Sequence, residues 1–241
     1  MQNVLVFDIW GDYGHFRKFY TTSSPLTFSI PPRTSLCGLL GAIVGLGKDE
    51  YLNYFSKKDA QIGLRLLNPI KKTRLGINLI NTKGNHWILV RKSGHEPRTQ
   101  IRTEFIKDAK FRVYVFHADE NIYKTLKENL SQHKSFYTPS LGLSELLCNF
   151  SYLGEIGVTE IGEEETTVHS VVSISQLAVS KESIIFEGGK KYFKERLPIE
   201  MTPERIVTEY GEVIYEAEGK EIKVVPKKFW ELKNGERIIF L

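Results

Sequence analysis

Cysteine is scarce in this 241-residue chain, which contains only Cys37 and Cys148. Two cysteines so far apart form neither a disulfide framework nor a zinc motif, and both suit a reducing cytoplasm. The six histidines are scattered, and no pair has metal-ligand spacing with a third ligand nearby. We therefore expect a cytoplasmic protein that uses no metal and no other cofactor.

Long apolar runs are also missing. No stretch approaches the ~20 apolar residues of a membrane span. The first residues, MQNVLVFDIW, enter a strand pattern with no basic lead and no cleavage site, so no signal peptide is expected. No internal repeat or low-complexity tract is present, and the composition, 41% hydrophobic and 26% charged, is typical of a globular protein.

Basic residues are concentrated in the middle of the chain. Residues 65–112 contain 12 Lys and Arg but only 3 Asp and Glu, whereas the C-terminal part is mildly acidic. A basic segment in an otherwise balanced chain is typical of a polyanion-binding site. A solvated charged surface is the alternative.

The hydrophobic pattern predicts an α+β fold. Strands are expected at 4–10, 61–67, 111–117 and 152–161, and helices at 35–46 and 121–133. Their order, β-α-β-β-α-β, is that of a ferredoxin-like (RRM-like) domain. We predict this domain at 1–162, with a β-hairpin arm inserted at about 68–110 whose tip lies near 93–97. Short strands at 163–241 predict a small β-rich C-terminal domain.

The segment GDYGHFRKFYTTSSPLTFSIPPRT (11–34) is too long to be a simple connector, since a strand and a helix usually need roughly 2–6 residues between them. It combines cations, aromatic rings and hydroxyl groups, which are the groups that bind single-stranded RNA. The candidates here are Arg17, Lys18, Arg33, Phe16, Phe19, Tyr20, Thr21, Thr22, Ser23 and Ser24. The arm adds Lys71, Lys72, Arg74, Arg91, Lys92, Arg98 and Arg102.

The sequence contains candidate residues for two other chemistries. GAIVGLGKDE is not a phosphate-binding loop, because Asp49 follows Lys48 where Ser or Thr is required and the glycines end a helix. His133, Lys134 and Tyr137 could serve a metal-independent ribonuclease, with the histidine as acid or base and the lysine stabilising charge. The favoured interpretation of these residues is a helix C-terminus that attracts cations.

Three segments resemble the CRISPR-associated Cas-five (Cas5) family, and specifically its subtype I-B branch. They are the stretch from Gly11 to Leu46, YTPSLGLSELLCNFSYLGE at 137–155, and RIVTEYGEVIYEAEGKEI with the closing NGERIIFL. The resemblance implies a RAMP-superfamily protein with an RNA-binding ferredoxin-like domain. It also implies a non-catalytic subunit of Cascade, the RNA-guided surveillance complex of antiviral defence, which caps the 5′ handle of the CRISPR RNA.

The resemblance also implies roles and partners. The arm would be a thumb that folds over the guide and helps to organise it for target recognition. Arg17 and Lys18 would bind phosphates, His15 and Tyr20 would meet bases or riboses, and Thr22 and Ser24 would donate to backbone oxygens. Arg33 would add charge at a helix N-terminus, and Ser140 is a further RNA-binding candidate. The neighbours would be CRISPR RNA, the family-seven backbone subunit and the large subunit, with target DNA met only through the guide duplex.

Two alternatives stay open at this point. Subtype I-C relatives process CRISPR repeat RNA themselves, and His133, Lys134 and Tyr137 would then be the catalytic candidates. The second alternative is a protein-interaction subunit that makes no RNA contact of its own, although the basic arm argues against it.

Overall fold

The computed structural model describes residues 2–21, 23–81, 98–179 and 183–241. The fold mixes helices and strands, as predicted, and it is mostly β. The helices are α1 (Arg33–Val44), α2 (Tyr51–Tyr54) and α3 (Glu120–Ser131). The strands are β1 (Gln2–Gly14), β2 (Ala60–Leu66), β3 (Lys71–Ile80), β4 (Arg98–His117), β5 (Asn149–Ile161), β6 (Thr166–Val168), β7 (Val172–Ser173), β8 (Ile184–Ile185), β9 (Tyr192–Met201), β10 (Val207–Glu216), β11 (Ile222–Val224), β12 (Phe229–Leu232) and β13 (Arg237–Ile238).

An antiparallel sheet in the order β13-β12-β5-β1-β4-β2 forms the centre of the molecule. β1 lies between β4 and β5, where Phe7 pairs with Val113 on one side and Tyr152 on the other. Its apolar run is buried on both faces because helices cover one face and C-terminal residues cover the other. A near-continuous apolar strand is what such a position requires.

The helices pack on one face of this sheet. Leu36, Leu40 and Ile43 of α1 are fully buried in the same core as Leu5 and Phe7 of β1. Gly45 ends α1 in the left-handed conformation (φ 94°) and donates its N–H to the Gly41 carbonyl oxygen.

The small residues of α1 serve a contact that the sequence did not indicate. A Cβ placed on Gly41 would lie 2.7 Å from the Tyr51 Cβ, so this glycine lets α2 approach α1.

A two-stranded arm leaves the sheet. β3 pairs with the first half of β4 from Lys71–Lys107 to Ile80–Arg98, and the second half of β4 pairs with β1 and β2. The strand predicted at 111–117 is therefore the inner end of one 20-residue strand. The change of partner occurs near Asp108, which has a φ of 53°. The predicted tip at 93–97 lies outside the described residues.

The C-terminal part is rich in short strands. Two three-stranded sheets, β7-β10-β9 and β6-β11-β8, lie beside the main sheet, and β12 extends that sheet by pairing with β5. The N–H groups of Leu241 and Val171 donate to the carbonyl oxygens of Ile62 and Leu64 in β2. The domain boundary at 162 stays a prediction. No helix in the described ranges is long and apolar enough to cross a membrane.

Candidate nucleic-acid interface

The long connection between β1 and α1, residues 15–32 and hereafter the first loop, folds back on itself. The Lys18 N–H donates to the Leu26 oxygen at 2.8 Å, and the Phe28 N–H donates to the Phe16 oxygen at 2.8 Å. The rings of Phe16 and Phe28 are buried and anchor this turn in the core. The first loop is therefore a fixed projection from the sheet.

The base of the arm is joined to the first loop. The Glu104 N–H donates to the Pro25 oxygen at 2.9 Å, and Lys72 donates its ammonium to the Thr27 oxygen at 2.9 Å. The Glu104 carboxylate also lies 3.4 Å from the Lys72 ammonium and 3.5 Å from the Arg74 guanidinium. These contacts place the two basic segments that the sequence singled out side by side.

The β9–β10 pair holds the other side of the first loop. The Glu195 carboxylate accepts from the Lys18 ammonium (3.1 Å), the Ser29 N–H (3.0 Å) and the Ser29 hydroxyl (3.1 Å). Burial lowers the pKa of Lys18, but the attraction of Glu195 outweighs it, so the pKa is raised overall. The charge of Lys18 is thus directed into the protein.

Two of the predicted RNA ligands, His15 and Arg33, are buried inside the protein. His15 is 3% exposed, and its Nδ1 lies 2.7 Å from the Glu104 carbonyl oxygen; burial lowers its pKa. Arg33 is 1% exposed and donates to the carbonyl oxygens of Ala60 (2.8 Å) and Ile199 (3.4 Å). Both side chains hold the first loop and α1 in place.

The remaining loop candidates lie at the surface. Arg17, Tyr20 and Ser24 are exposed, and Arg17 donates to the Thr21 carbonyl oxygen at 3.1 Å. Thr22 and Arg91 lie outside the described residues. The exposed set is therefore smaller than the sequence predicted, and it is confined to the turn of the first loop.

One face of the arm is basic. Alternate residues of the paired strands share a face, and the pairs Arg74–Glu104, Gly76–Arg102 and Ile80–Arg98 place three arginines on the same side. Arg74, Gly76, Gln100 and Arg102 line a cleft of about 630 Å³. Because Gly76 has no side chain, the guanidinium groups border an open space that suits a phosphate backbone.

A second cleft, of about 310 Å³, lies at the start of α1. Its lining includes Ser35, Ser140, Thr138 and Arg205. Arg205 donates to the Tyr51 hydroxyl at 2.7 Å and to the Lys48 oxygen at 3.1 Å. The predicted residue Ser140 thus lines a polar cleft that is separate from the arm.

The ribonuclease candidates follow α3. His133 is exposed, has a φ of 53° and places its ring 4.7 Å from that of Phe150. Lys134 donates to the Gln132 side chain at 2.9 Å, and Tyr137 is 48% exposed beside Phe136. Catalysis by these residues stays a prediction.

Sequence reasoning missed the contribution of the C-terminal part. Glu195 fixes the first loop, and Arg196 and Tyr210 lie beside its turn. The available signal was the mixture of basic and aromatic residues in KKYFKER at 190–196.

Comparisons with known proteins agree with one another. The family model described as CRISPR-associated protein (Cas_Cas5) matches residues 4–216, whereas no curated protein sequence matches. A crystal structure of a CRISPR protein from Archaeoglobus fulgidus is similar with a TM-score of 0.57 and 16% identity, over 99% of this chain and 98% of that one. A chain of a CRISPR RNA-guided surveillance complex has a TM-score of 0.54 and 12% identity, covering 91% of each chain. A chain of the Type III-B Cmr-beta complex bound to cognate target RNA has a TM-score of 0.50 and 14% identity, over 92% and 86%.

Proposed function

Because this chain belongs to the CRISPR-associated Cas5 family, we propose that it is a CRISPR-RNA-binding subunit of a Cascade-type surveillance complex. Its proposed task is to cap the 5′ handle of the CRISPR RNA. The family match, which spans most of the chain, carries the proposal. Support comes from the surface itself, where the first loop and the basic face of the arm lie together.

The proposal includes a ferredoxin-like domain with a thumb. The order β5-β1-β4-β2, with α1 after β1 and α3 after β4, supports the domain. The arm leaves between β2 and the inner half of β4, which is the thumb's expected position. In this proposal the thumb lies over the RNA and helps to organise the guide for target recognition.

The basic face of the arm is the proposed phosphate-binding surface. Arg74, Arg98 and Arg102 share this face, and the first loop adds Arg17. Lys72 is less suited to bind RNA, since its ammonium is held by both Thr27 and Glu104 and its side chain is 28% exposed. Arg74 also contacts Glu104, but its side chain is 59% exposed. Phosphate contacts position the RNA strand without reading its sequence. A cap on a constant handle needs this positioning and also contacts to bases.

The finer assignments are subtype I-B and a non-catalytic role in the cytoplasm. The proposed partners are CRISPR RNA, the family-seven backbone subunit and the large subunit, with target DNA met through the guide duplex. Support for subtype I-B comes from the first-loop sequence. The alternative, repeat cleavage as in subtype I-C, rests on His133, Lys134 and Tyr137, whose side chains are all exposed.

A binding titration tests the proposal. Labelled 5′-handle RNA is titrated with the full-length chain in EDTA at several salt concentrations, and the RNA is then examined on a gel. Each phosphate contact to a single strand adds roughly 0.7 to the log–log salt slope, so R74A/R102A should lower the slope by about 1.4. K124A, on the exposed face of α3, is the matched control.

The outcomes separate the candidate functions. Salt-dependent binding of intact RNA, weakened in R74A/R102A but not in K124A, supports the cap. A defined cut that is lost in H133A would favour the ribonuclease. Binding that ignores salt, or no binding, would contradict the proposed phosphate surface.

A further inference from the structure

Three aromatic rings and a guanidinium group meet where the first loop passes the β9–β10 pair. The Phe19 ring centroid lies 5.1 Å from that of Tyr20 and 5.1 Å from that of Tyr210. The Arg196 guanidinium carbon lies 4.9 Å from the Tyr210 ring centroid. Phe19 is 58% exposed and Tyr20 is 62% exposed. We refer to Phe19, Tyr20, Tyr210 and Arg196 as the aromatic cluster.

The exposure of these rings is fixed by the fold. Phe16 and Phe28 of the same loop are buried, so the loop sends one pair of rings inward and another outward. In the chain between Phe16 and Phe19, Lys18 is held by Glu195. This ion pair sets the position of the backbone just before Phe19. Single exposed apolar side chains are ordinary, but a contiguous set at a fixed projection marks an interaction site.

The charge around the cluster favours an anionic partner. Arg17 and Arg196 are both exposed, and within the described part of the chain neither forms an ion pair with a carboxylate. Two carboxylates lie close to Arg196, and both have other partners. Glu195 is occupied by Lys18 and Ser29, and Glu212, which is opposite Arg196 in the β9–β10 pair, forms an ion pair with Lys194 at 2.8 Å. Flat rings bordered by cations suit an unstacked nucleobase flanked by phosphates.

We propose that the aromatic cluster is a stacking site for one unpaired nucleobase of bound RNA, with Arg17 and Arg196 binding the flanking phosphates. The inference rests on the proposed function and adds to it a base-contacting site that the C-terminal part helps to build. Stacking on a ring face tolerates any base, because every base has such a face. The site therefore holds a nucleotide in position without selecting its identity.

The test uses single-stranded handle RNA in which 2-aminopurine replaces one base at a time. We expect one position to lose fluorescence on binding, because the probe stacks on an aromatic ring. F19A/Y20A should abolish that loss and weaken binding by roughly 5- to 150-fold, as expected for one stacked base. The salt slope should stay unchanged, since no phosphate contact is removed. Y20F, which keeps the ring, should bind like the parent chain.

F186A is the matched control, because Phe186 is 67% exposed and pairs with Tyr192 away from the first loop. Parental affinity and fluorescence of F19A/Y20A would overturn the inference while leaving the proposed function standing. Loss of assembly with other subunits but unchanged RNA binding would assign the cluster to a protein contact and would also overturn it. If the parent chain binds no RNA, the proposed function itself fails.

Discussion

Replacing Glu195 with alanine should destabilise the whole first loop, although the residue lies far from it in sequence. Its carboxylate accepts three hydrogen bonds from Lys18 and Ser29, and the side chains of the Lys18–Glu195 pair are 16% and 13% exposed. Breaking a fully buried pair costs ~3–5 kcal/mol, and partial exposure reduces that figure, so we expect E195A to lower the free energy of unfolding by ~2–4 kcal/mol.

Thermal unfolding of the purified chain measures this effect. In a chain of this length 1 kcal/mol shifts Tm by roughly 2–4 °C, so the expected fall is about 4–16 °C. E212A is the control: its ion pair with Lys194 is 2.8 Å long but about half exposed on both sides, so Tm should barely change. The double variant K18A/E195A should lose less than the sum of the single losses. Equal melting of E195A and the parent chain would refute the idea that Glu195 holds the loop.

Three further predictions concern the core. G41A should destabilise the fold by ~1–3 kcal/mol in urea because its Cβ would meet Tyr51 at 2.7 Å, whereas G38A, with 3.5 Å of space, should not; equal stability of the two would contradict the close contact. Burial lowers the pKa values of His15 and His169 below 6.5, so the unfolded chain binds protons first as the pH falls. The stabilising contribution of the two neutral histidines is therefore fully present above about pH 6.5 and is lost as the pH falls below it. H15Q/H169Q should make the urea midpoint depend less on pH between about pH 7.5 and 5.5. An unchanged pH dependence would show that these histidines are not its cause. R33M should cost ~2–5 kcal/mol by leaving two buried carbonyl groups unpaired, and a melting curve like that of exposed R98M would contradict this.

The sequence predicted the elements whose signals are local. β1 is a run of apolar residues, and α1 has an apolar stripe, a leading proline pair and a terminal glycine. The 20-residue β4 has two different local patterns: its outer half alternates between polar and apolar residues, as an arm does, while its inner half is mostly buried. Local pattern does not reveal that two such stretches form one strand.

The candidate site was predictable only in outline. A basic arm and a decorated loop are visible in composition, but burial of individual cations depends on distant partners. Arg33 is internal because carbonyl groups from Ala60 and Ile199 converge on it, and no local signal encodes that convergence. Arg196 and Tyr210 reach the first loop only through the pairing of β9 with β10.

Because β4 is one continuous strand, the described base of the arm and the central sheet share a single backbone. A force applied to the outer half of β4 is carried along this backbone into the part that pairs with both β1 and β2. A movement of the arm about its base must therefore strain the hydrogen bonds of the central sheet. Within β4, bending is easiest near Asp108, because the ladder with β1 has pairs at Lys107 and Ala109 but none at Asp108. A force on the arm is therefore transmitted to the middle of the sheet, beside the point where β1 leads into the first loop.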